Sequence, residues 1–347
     1  VDKKGNHSHI LVIRLSAMGD VAMLAPIFSA LQSNFPNVRI TLLTKAQFAP
    51  IFSELSNVAV FPVMVKGEHK GFLGLFRLFR SLKRKRIDAV ADTHNVLRSN
   101  VLKFLFQLSG VPVVQLNKGR AQKKALTRSK NKVFKPLKTT HERYADVFRK
   151  LGYAIALKED GVLAKLPLPQ KAVALLENKP KKIIGVAPFA AHQGKMYPIV
   201  QMEKVIGLLE GEDCTVLLFG GGKQEEEILK GISEKLGPNV LSVAGNMGLG
   251  EELALLSNID AMVSMDSGNG HLAANYSVPV ITIWGVTHPY AGFAPFAQGP
   301  SRSLMANREE YPLIPTSIYG NTFPKGYEHA IETITPQQVF EKIKQVW

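Results

Sequence analysis

Four turns carry the residues whose types and spacing suit chemistry, and each follows an apolar run that reads as a strand. The first is Ser16-Ala17-Met18-Gly19-Asp20, after Ile10 to Leu15 and before a helix beginning near Val21. Gly19 permits close backbone approach, and Asp20 sits at the helix start, where the dipole favours the carboxylate. Such a carboxylate accepts a hydroxyl proton only as a new bond forms, which suits a concerted transfer; plain helix capping is the competing reading. The second turn runs from Ala187 to Pro198 and contains Pro188, His192 and Lys195, its one permanent cation. Lys195 reads as a phosphate clamp, against an ordinary solvated lysine. The third is Phe219-Gly220-Gly221-Gly222, leading into Glu225, Glu226 and Glu227. Glycines let a nucleotide approach the backbone and a carboxylate beyond them suits ribose hydroxyls, although a strand-to-helix turn explains them equally. The fourth, Ser264-Met265-Asp266-Ser267-Gly268-Asn269-Gly270-His271, opens a helix with small and hydroxyl residues, which offers backbone amides to a diphosphate.

Several chemistries are excluded. No Asp-x-Asp pair and no His or carboxylate cluster stands at metal-ligand spacing, so the expected reaction needs neither metal nor cofactor. The glycines form neither a dinucleotide fingerprint nor a P-loop, which argues against a dehydrogenase or an NTPase. Ser267 lacks a nucleophile-elbow context. The single cysteine, Cys214, falls inside a strand pattern, so it makes no internal disulfide and suits a reducing compartment.

The elements that must position these turns repeat along the whole chain. Its 347 residues, 46% hydrophobic and 20% charged, make a globular protein of about two domains. Strands are expected at 10–15, 39–44, 58–63, 87–92 and 111–116, and again at 183–187, 215–219, 240–243, 261–265 and 280–284. Helical patterns lie between them. That alternation predicts an α/β protein with two doubly wound parallel sheets. The expected boundaries are 10–165 for an N-terminal domain, 166–182 for a linker with a short helix at 171–177, 183–330 for a C-terminal domain and 331–347 for a final amphipathic helix. Ligands of open α/β sheets bind at the carboxyl ends of the strands, so the site is expected in an interdomain cleft. Residues 1–9 read as a disordered or non-native lead-in, and no apolar run is long enough to span a membrane.

Charge is distributed unevenly. Between Lys66 and Lys150, 22 Lys and Arg face five acids, a surplus larger than the net +15 of the chain. This region therefore seeks an anionic partner: phosphorylated lipid or sugar, a membrane surface, or nucleic acid. Phe72, Leu73, Leu75, Phe76, Leu78, Phe79 and Leu82 recur at helical spacing and end in Lys83-Arg84-Lys85-Arg86. Two readings stand, a helix covering a core and a membrane-surface contact. No nucleic-acid-binding signature is present, so nucleic acid is not the expected partner. Residues 117–138 are polar, basic and aperiodic, and read as a mobile loop.

The four turns in this order resemble glycosyltransferase family 9, the ADP-heptose:lipopolysaccharide heptosyltransferases. The likeness runs from Ile10 over nearly the whole chain. It rests on Ile10-Leu11-Val12-Ile13-Arg14-Leu15-Ser16-Ala17-Met18-Gly19-Asp20-Val21, on Asp92-Thr93-His94-Asn95-Val96-Leu97-Arg98-Ser99, on Gly220 with the following acids, on Met265 to His271, and on Trp284-Gly285-Val286-Thr287-His288-Pro289. The resemblance implies a GT-B fold of two Rossmann-like domains, with the last helix packing back on the N-terminal domain. It implies inverting transfer of heptose from ADP-heptose to the inner core of lipopolysaccharide. By position Asp20 becomes the general base and Lys195 the group stabilising the leaving diphosphate. Asp266, Ser267 and Gly268 become donor-binding, and Glu225 or Glu226 would hold the ribose or adenine side. Gly19, Pro188, Gly220, Gly221, His271 and Thr287 complete the donor set. Ser16, His94, Arg98 and Arg120 are the acceptor candidates, with the basic loop around them. The implied partners are a nucleotide sugar, the lipid-anchored acceptor and the cytoplasmic face of the inner membrane. Tyr197 stands where the family usually has Trp, His288 where Asp often follows Thr, and the element Ser317-Ile318-Tyr319-Gly320-Asn321 lacks the flanking cysteines common there. A nucleotide-sugar or anionic-lipid binding protein without activity is the alternative on the same scaffold.

Overall fold

The computed structural model describes residues 8–158 and 163–347, which divide into two compact units, one formed by the described residues of 1–118 and 140–163 and the other by 119–139 and 164–347. Residues 1–7 of the expected lead-in, and 159–162 near the expected linker, lie outside the described residues. His9 does not belong to a lead-in. It opens the first strand, and its amide and that of Ser8 donate to the Asp88 carboxylate.

The first unit is built on strands β1 (His9–Ile13), β2 (Arg39–Thr44), β3 (Val58–Pro62), β4 (Ala89–Asp92) and β5 (Val113–Gln115), all parallel in the order β3-β2-β1-β4-β5. Residues 10–13 of β1 are fully buried, as an unbroken apolar run requires when helices cover both faces. Helices α1 (Met18–Ala22), α2 (Ala25–Asn34), α3 (Gly71–Lys83) and α4 (Leu97–Leu108) connect the strands. Leu75, Leu78, Phe79 and Leu82 of α3 turn inward onto Leu11, Ile13 and Val90 and meet Leu102 and Phe106 of α4. Burying each such side chain stabilises by about 1.5–3 kcal/mol.

The basic stretch 117–138 is not an irregular mobile loop. It contains α5 (Arg120–Thr127), and residues 119–139 group with the second unit, while α6 (Thr140–Lys150) returns to the first. Side chains missed at the sequence level hold it there. The Arg308 guanidinium stacks 3.5 Å from the centroid of Phe134, whose ring meets His288 and Tyr290, and Lys132 donates to the carbonyls of Leu126 and Pro315.

The second unit begins with α7 (Gln170–Leu176), within a residue of the expected 171–177. Its strands β6 (Lys182–Ala187), β7 (Cys214–Leu218), β8 (Val240–Ser242), β9 (Ala261–Met265), β10 (Val280–Trp284) and β11 (Ser303–Met305) pair in parallel, in the order β11-β10-β9-β6-β7-β8. Helices α8 (Ile199–Glu210), α9 (Lys223–Leu236), α10 (Leu249–Leu256), α11 (Gly268–Ala274) and α12 (Pro336–Lys344) complete it. The edge strand β11 was not expected, being three residues long and without an apolar run. Thr335 caps α12 by accepting the Gln338 amide, and Pro336 fills its first position. The expected return of this helix to the N-terminal domain is corrected: Val339 and Ile343 pack with Met202, Val205 and Ile206 of α8, inside the second unit's own core. The phenol of Tyr197, where a Trp was the family expectation, donates to the Ile334 carbonyl just before α12 at 2.7 Å.

Candidate functional site

In each sheet the strand order reverses direction at one point, and the loops leaving the two strands there open a crevice at their carboxyl ends. In the first unit those strands are β1 and β4, and Ile13 pairs with Asp92. In the second they are β6 and β9, and Ala187 pairs with Ser264. The turns that carry Asp20, His94, Lys195 and Asp266 are the loops leaving these four strands.

Asp20 lies in the third position of α1. Its Oδ2 accepts from the Ala17 amide at 3.3 Å and pairs with Arg14 Nη2 at 2.5 Å. The other end of the guanidinium donates to the Thr93 carbonyl at 2.8 Å, and its plane lies over the Tyr144 ring. The phenol of Tyr144 donates to the Asp20 carbonyl. Arg14 is nearly buried while Asp20 remains partly exposed, so the carboxylate is held from behind and open in front. Both contacts of the carboxylate fall on Oδ2. Arg14 was quoted within the opening signature but given no role; an arginine at the end of a buried apolar strand is the signal that marks it.

His94 follows β4, and its Nδ1 accepts from the Leu15 amide at 3.3 Å, which leaves its proton on Nε2. Burial, then Arg14 and Lys118, push its pKa down to about 4, so it is a neutral donor at physiological pH. The buried Asp92 shapes this turn, accepting from the amides of His94 and Asn95 and from Gln115 Nε2. Ser16 and Gly19 are partly exposed in the Asp20 turn, and Arg98 is exposed in the first turn of α4. Arg120 opens α5 in the second unit, so the expected acceptor set is divided between the two units.

Lys195 ends a short 3-10 turn after β6. Its Nζ pairs with Asp266 Oδ2 at 2.7 Å and donates to the Asp266 carbonyl at 3.2 Å. The carbonyl contact is a hydrogen bond and the carboxylate contact an ion pair that leaves Asp266 Oδ2 without a hydrogen bond among the described residues, so the ammonium keeps protons to donate. Its stem lies against Gly320, whose φ is +73° and where a Cβ would come within 2.6 Å of Lys195 Cγ. The Ser317 hydroxyl oxygen accepts the amides of Tyr319 and Gly320, and the adjoining Gly194 exchanges backbone hydrogen bonds with Gly320 and Val286. The Ser317–Asn321 element, read only as a family likeness, therefore braces the lysine.

Ser267 caps α11 without a side-chain bond, and its buried hydroxyl, with those of Ser264, Thr287 and Thr316, has no hydrogen-bond partner among the described residues. Buried hydroxyls without partners are costly in a core and are accounted for where a polar ligand completes them. Gly270 lets α11 approach β9, since a Cβ there would strike Ser264 Oγ, and His271 is buried on the same helix. Gly268 opens α11 and Pro188 follows β6 directly. Gly220 and Gly221 lie past β7. Glu225 accepts the Gly221 amide at 2.9 Å and Glu226 the Gly222 amide at 3.2 Å, so one oxygen of each caps its own helix. Glu226 packs on Gly245 and faces Glu252, whose carboxyl is pushed up to about 7 by burial and by Glu226. Glu252 was not singled out at the sequence level. His288 is buried, accepts the Tyr290 amide on Nδ1, and is pushed down to about 4 by burial, Arg308 and Lys132. Burial, with the nearby Glu212 and Asp213, raises the Cys214 thiol to about 11, consistent with an inert core residue.

Two units, each a doubly wound parallel sheet that gathers charged side chains at its switch point, have the architecture of the GT-B fold. The sequence profile of glycosyltransferase family 9 (heptosyltransferase) matches residues 75–312. The lipooligosaccharide heptosyltransferase 2 of Haemophilus influenzae is 27% identical, with 97% of this chain and 99% of that protein covered. Among solved structures, the family 9 glycosyl transferase of Veillonella parvula superposes with TM-score 0.73 at 18% identity, covering 98% of this chain and 97% of the other. The Escherichia coli ADP-heptose lps heptosyltransferase II superposes with TM-score 0.69 at 21% identity, covering 97% and 98%. The chain belongs to glycosyltransferase family 9, the heptosyltransferase family, and is an enzyme.

Proposed function

We propose that the enzyme transfers heptose from ADP-heptose to a sugar hydroxyl of the lipopolysaccharide inner core, with inversion, at the cytoplasmic face of the inner membrane. The observation that carries this reading is the pair of anchored charges at the two switch points, Asp20 held by Arg14 and Lys195 held by Asp266. The acceptor oxygen forms a bond to the anomeric carbon as the bond from that carbon to the diphosphate breaks. Its proton passes to Oδ1 of Asp20, the oxygen that Arg14 and Ala17 leave open, and ADP departs. Charge then develops on the diphosphate, where the ammonium of Lys195 and the hydroxyl and amides at Ser267 and Gly268 offset it without a metal. Nε2–H of His94 and the exposed Arg98 and Arg120 serve acidic and phosphorylated groups of the acceptor, for which Arg is suited by its planar fork.

The reading gains support from relatives named for lipopolysaccharide and lipooligosaccharide heptosyl transfer. Its test is ADP release from ADP-heptose in the presence of a heptose-deficient core acceptor. Donor-dependent release that requires the acceptor supports it. Tight donor binding without release from any nucleotide heptose supports a binding protein on the same scaffold instead.

A further inference from the structure

We propose that the outer surface of α3 and α4 is the face by which this enzyme docks onto an anionic phospholipid bilayer. The inference deepens the proposed reaction at a membrane surface, and rests on it only in expecting such a surface nearby. Seven large apolar side chains are exposed among the described residues of the first unit, and all fall between Met64 and Leu108. The most exposed are Phe72 (66%), Leu73 (72%), Leu97 (80%), Phe104 (59%) and Leu108 (70%). A core-covering helix needs none of these, since α3 already buries Leu75, Leu78, Phe79 and Leu82.

Spacing and contacts place them together. Leu97, Phe104 and Leu108 recur at i, i+7 and i+11, one stripe of α4 opposite its buried Ser99, Leu102 and Phe106. Phe72 and Phe76 stand one turn apart on α3. The Phe76 ring lies 6.2 Å from that of Phe79, which meets Phe106 of α4 edge-on at 5.0 Å. The two helices are thus neighbours in one layer on one face of the sheet, and their outward stripes point away from that sheet.

Charge identifies the occupant. Arg77, Arg80, Lys83 and Arg84 are all exposed along the rest of α3 and its end, followed by exposed Lys85 and Arg86, and no acid lies between Glu68 and Asp88. A second copy of this chain would bring two such cationic faces together, whereas an anionic lipid surface neutralises them while its acyl boundary receives the phenylalanines and leucines. No described helix is long and apolar enough to cross a membrane, so the contact is a surface one.

The test is flotation of the whole protein with vesicles of phosphatidylglycerol and phosphatidylethanolamine, containing no acceptor glycolipid, beside phosphatidylcholine vesicles. The protein is expected to float with the former and not the latter. Combined Phe72→Ser and Phe104→Ser substitution should reduce partitioning at least tenfold. Arg80→Gln with Arg84→Gln should reduce it about fivefold per cation at low salt, all with an unchanged melting temperature. Phe104→Trp should shift its emission to the blue on vesicle addition. Unchanged partitioning in these variants, an unmoved Phe104→Trp emission in floated protein, or a dimer abolished by Phe104→Ser without vesicle binding would overturn the proposal. A deacylated core acceptor separates the two ideas. Transfer to it at the wild-type rate by the serine variant, with flotation lost, supports both. Residue-dependent flotation without transfer to any acceptor upholds the docking face and overturns the proposed reaction.

Discussion

Replacing Gly320 by alanine probes how the enzyme places its lysine. The backbone there has φ +73°, a region that costs a residue with a Cβ about 1–2 kcal/mol. In a unit of this size that strain lowers the melting temperature by about 2–8 °C. The new methyl would also stand 2.6 Å from Lys195 Cγ, where ordinary contact begins near 3.4 Å, so the stem must move by most of an ångström. The ammonium is tied to Asp266 at two points, so this displacement strains the pair or breaks it. A misplacement of about 1 Å in a group aimed at developing charge costs up to about 100-fold in rate. We expect ADP affinity to fall about tenfold and kcat/KM by about 10- to 100-fold, read by calorimetry and by coupled ADP release. Gly320→Asn tolerates the backbone region better but keeps the Cβ, so it should recover most of the stability and little of the activity. Combined with Lys195→Ala, the glycine substitution should add nothing further to the kinetic loss. A Gly320→Ala enzyme with a lowered melting temperature but unaltered ADP affinity and kcat/KM would refute the bracing argument.

Further outcomes follow from the same geometry. Lys195→Ala should weaken ADP binding by about 10- to 150-fold, the worth of one charge-assisted hydrogen bond, with turnover falling in parallel; calorimetry beside steady-state kinetics checks it. His94 and His288 are held near 4 when folded and titrate near 6.5 when unfolded. The unfolded chain then binds more protons between those values, so stability is full above pH 6.5 and declines as pH falls toward 4, by about 3 kcal/mol for each histidine. His94→Gln, which keeps an acceptor for the Leu15 amide, should flatten this dependence in thermal melts between pH 4 and 7. Glu252 has the opposite sign: its folded value of about 7 lies above the unfolded one, so stability present below about pH 4.5 is lost as pH rises through 7. Glu252→Gln should therefore melt higher than the wild type at pH 8 and no higher at pH 4.

Much of this was legible before any coordinates. Strands such as Ile10–Ile13 and Val280–Trp284 are unbroken apolar runs, and the turns after them stand out by their small and charged residues. What the sequence did not show depends on pairing across long separations. Arg14 and Thr93, or Lys195 and Asp266, meet only because the strands preceding them are neighbours in a sheet. The basic stretch 119–139 lacks periodicity, yet becomes ordered because Phe134 and Lys132 find Arg308 and the Pro315 carbonyl almost two hundred residues away. The last helix was misassigned for a related reason: its stripe of Val339 and Ile343 says that it packs, and only tertiary structure says against what. The glutamates after Gly222 illustrate a further limit, since the same acids that suit a ribose also cap the helix they begin.

The proposed chemistry depends most directly on a carboxylate at position 20. Asp20→Asn keeps the side-chain shape and the Thr93 anchor of Arg14 while removing the proton acceptor. Turnover with ADP-heptose and a core acceptor should fall about 100- to 10,000-fold, the range for loss of a general base, with ADP affinity within twofold of wild type. Retained turnover, or a loss of ADP affinity matching the loss of rate, would contradict the assignment.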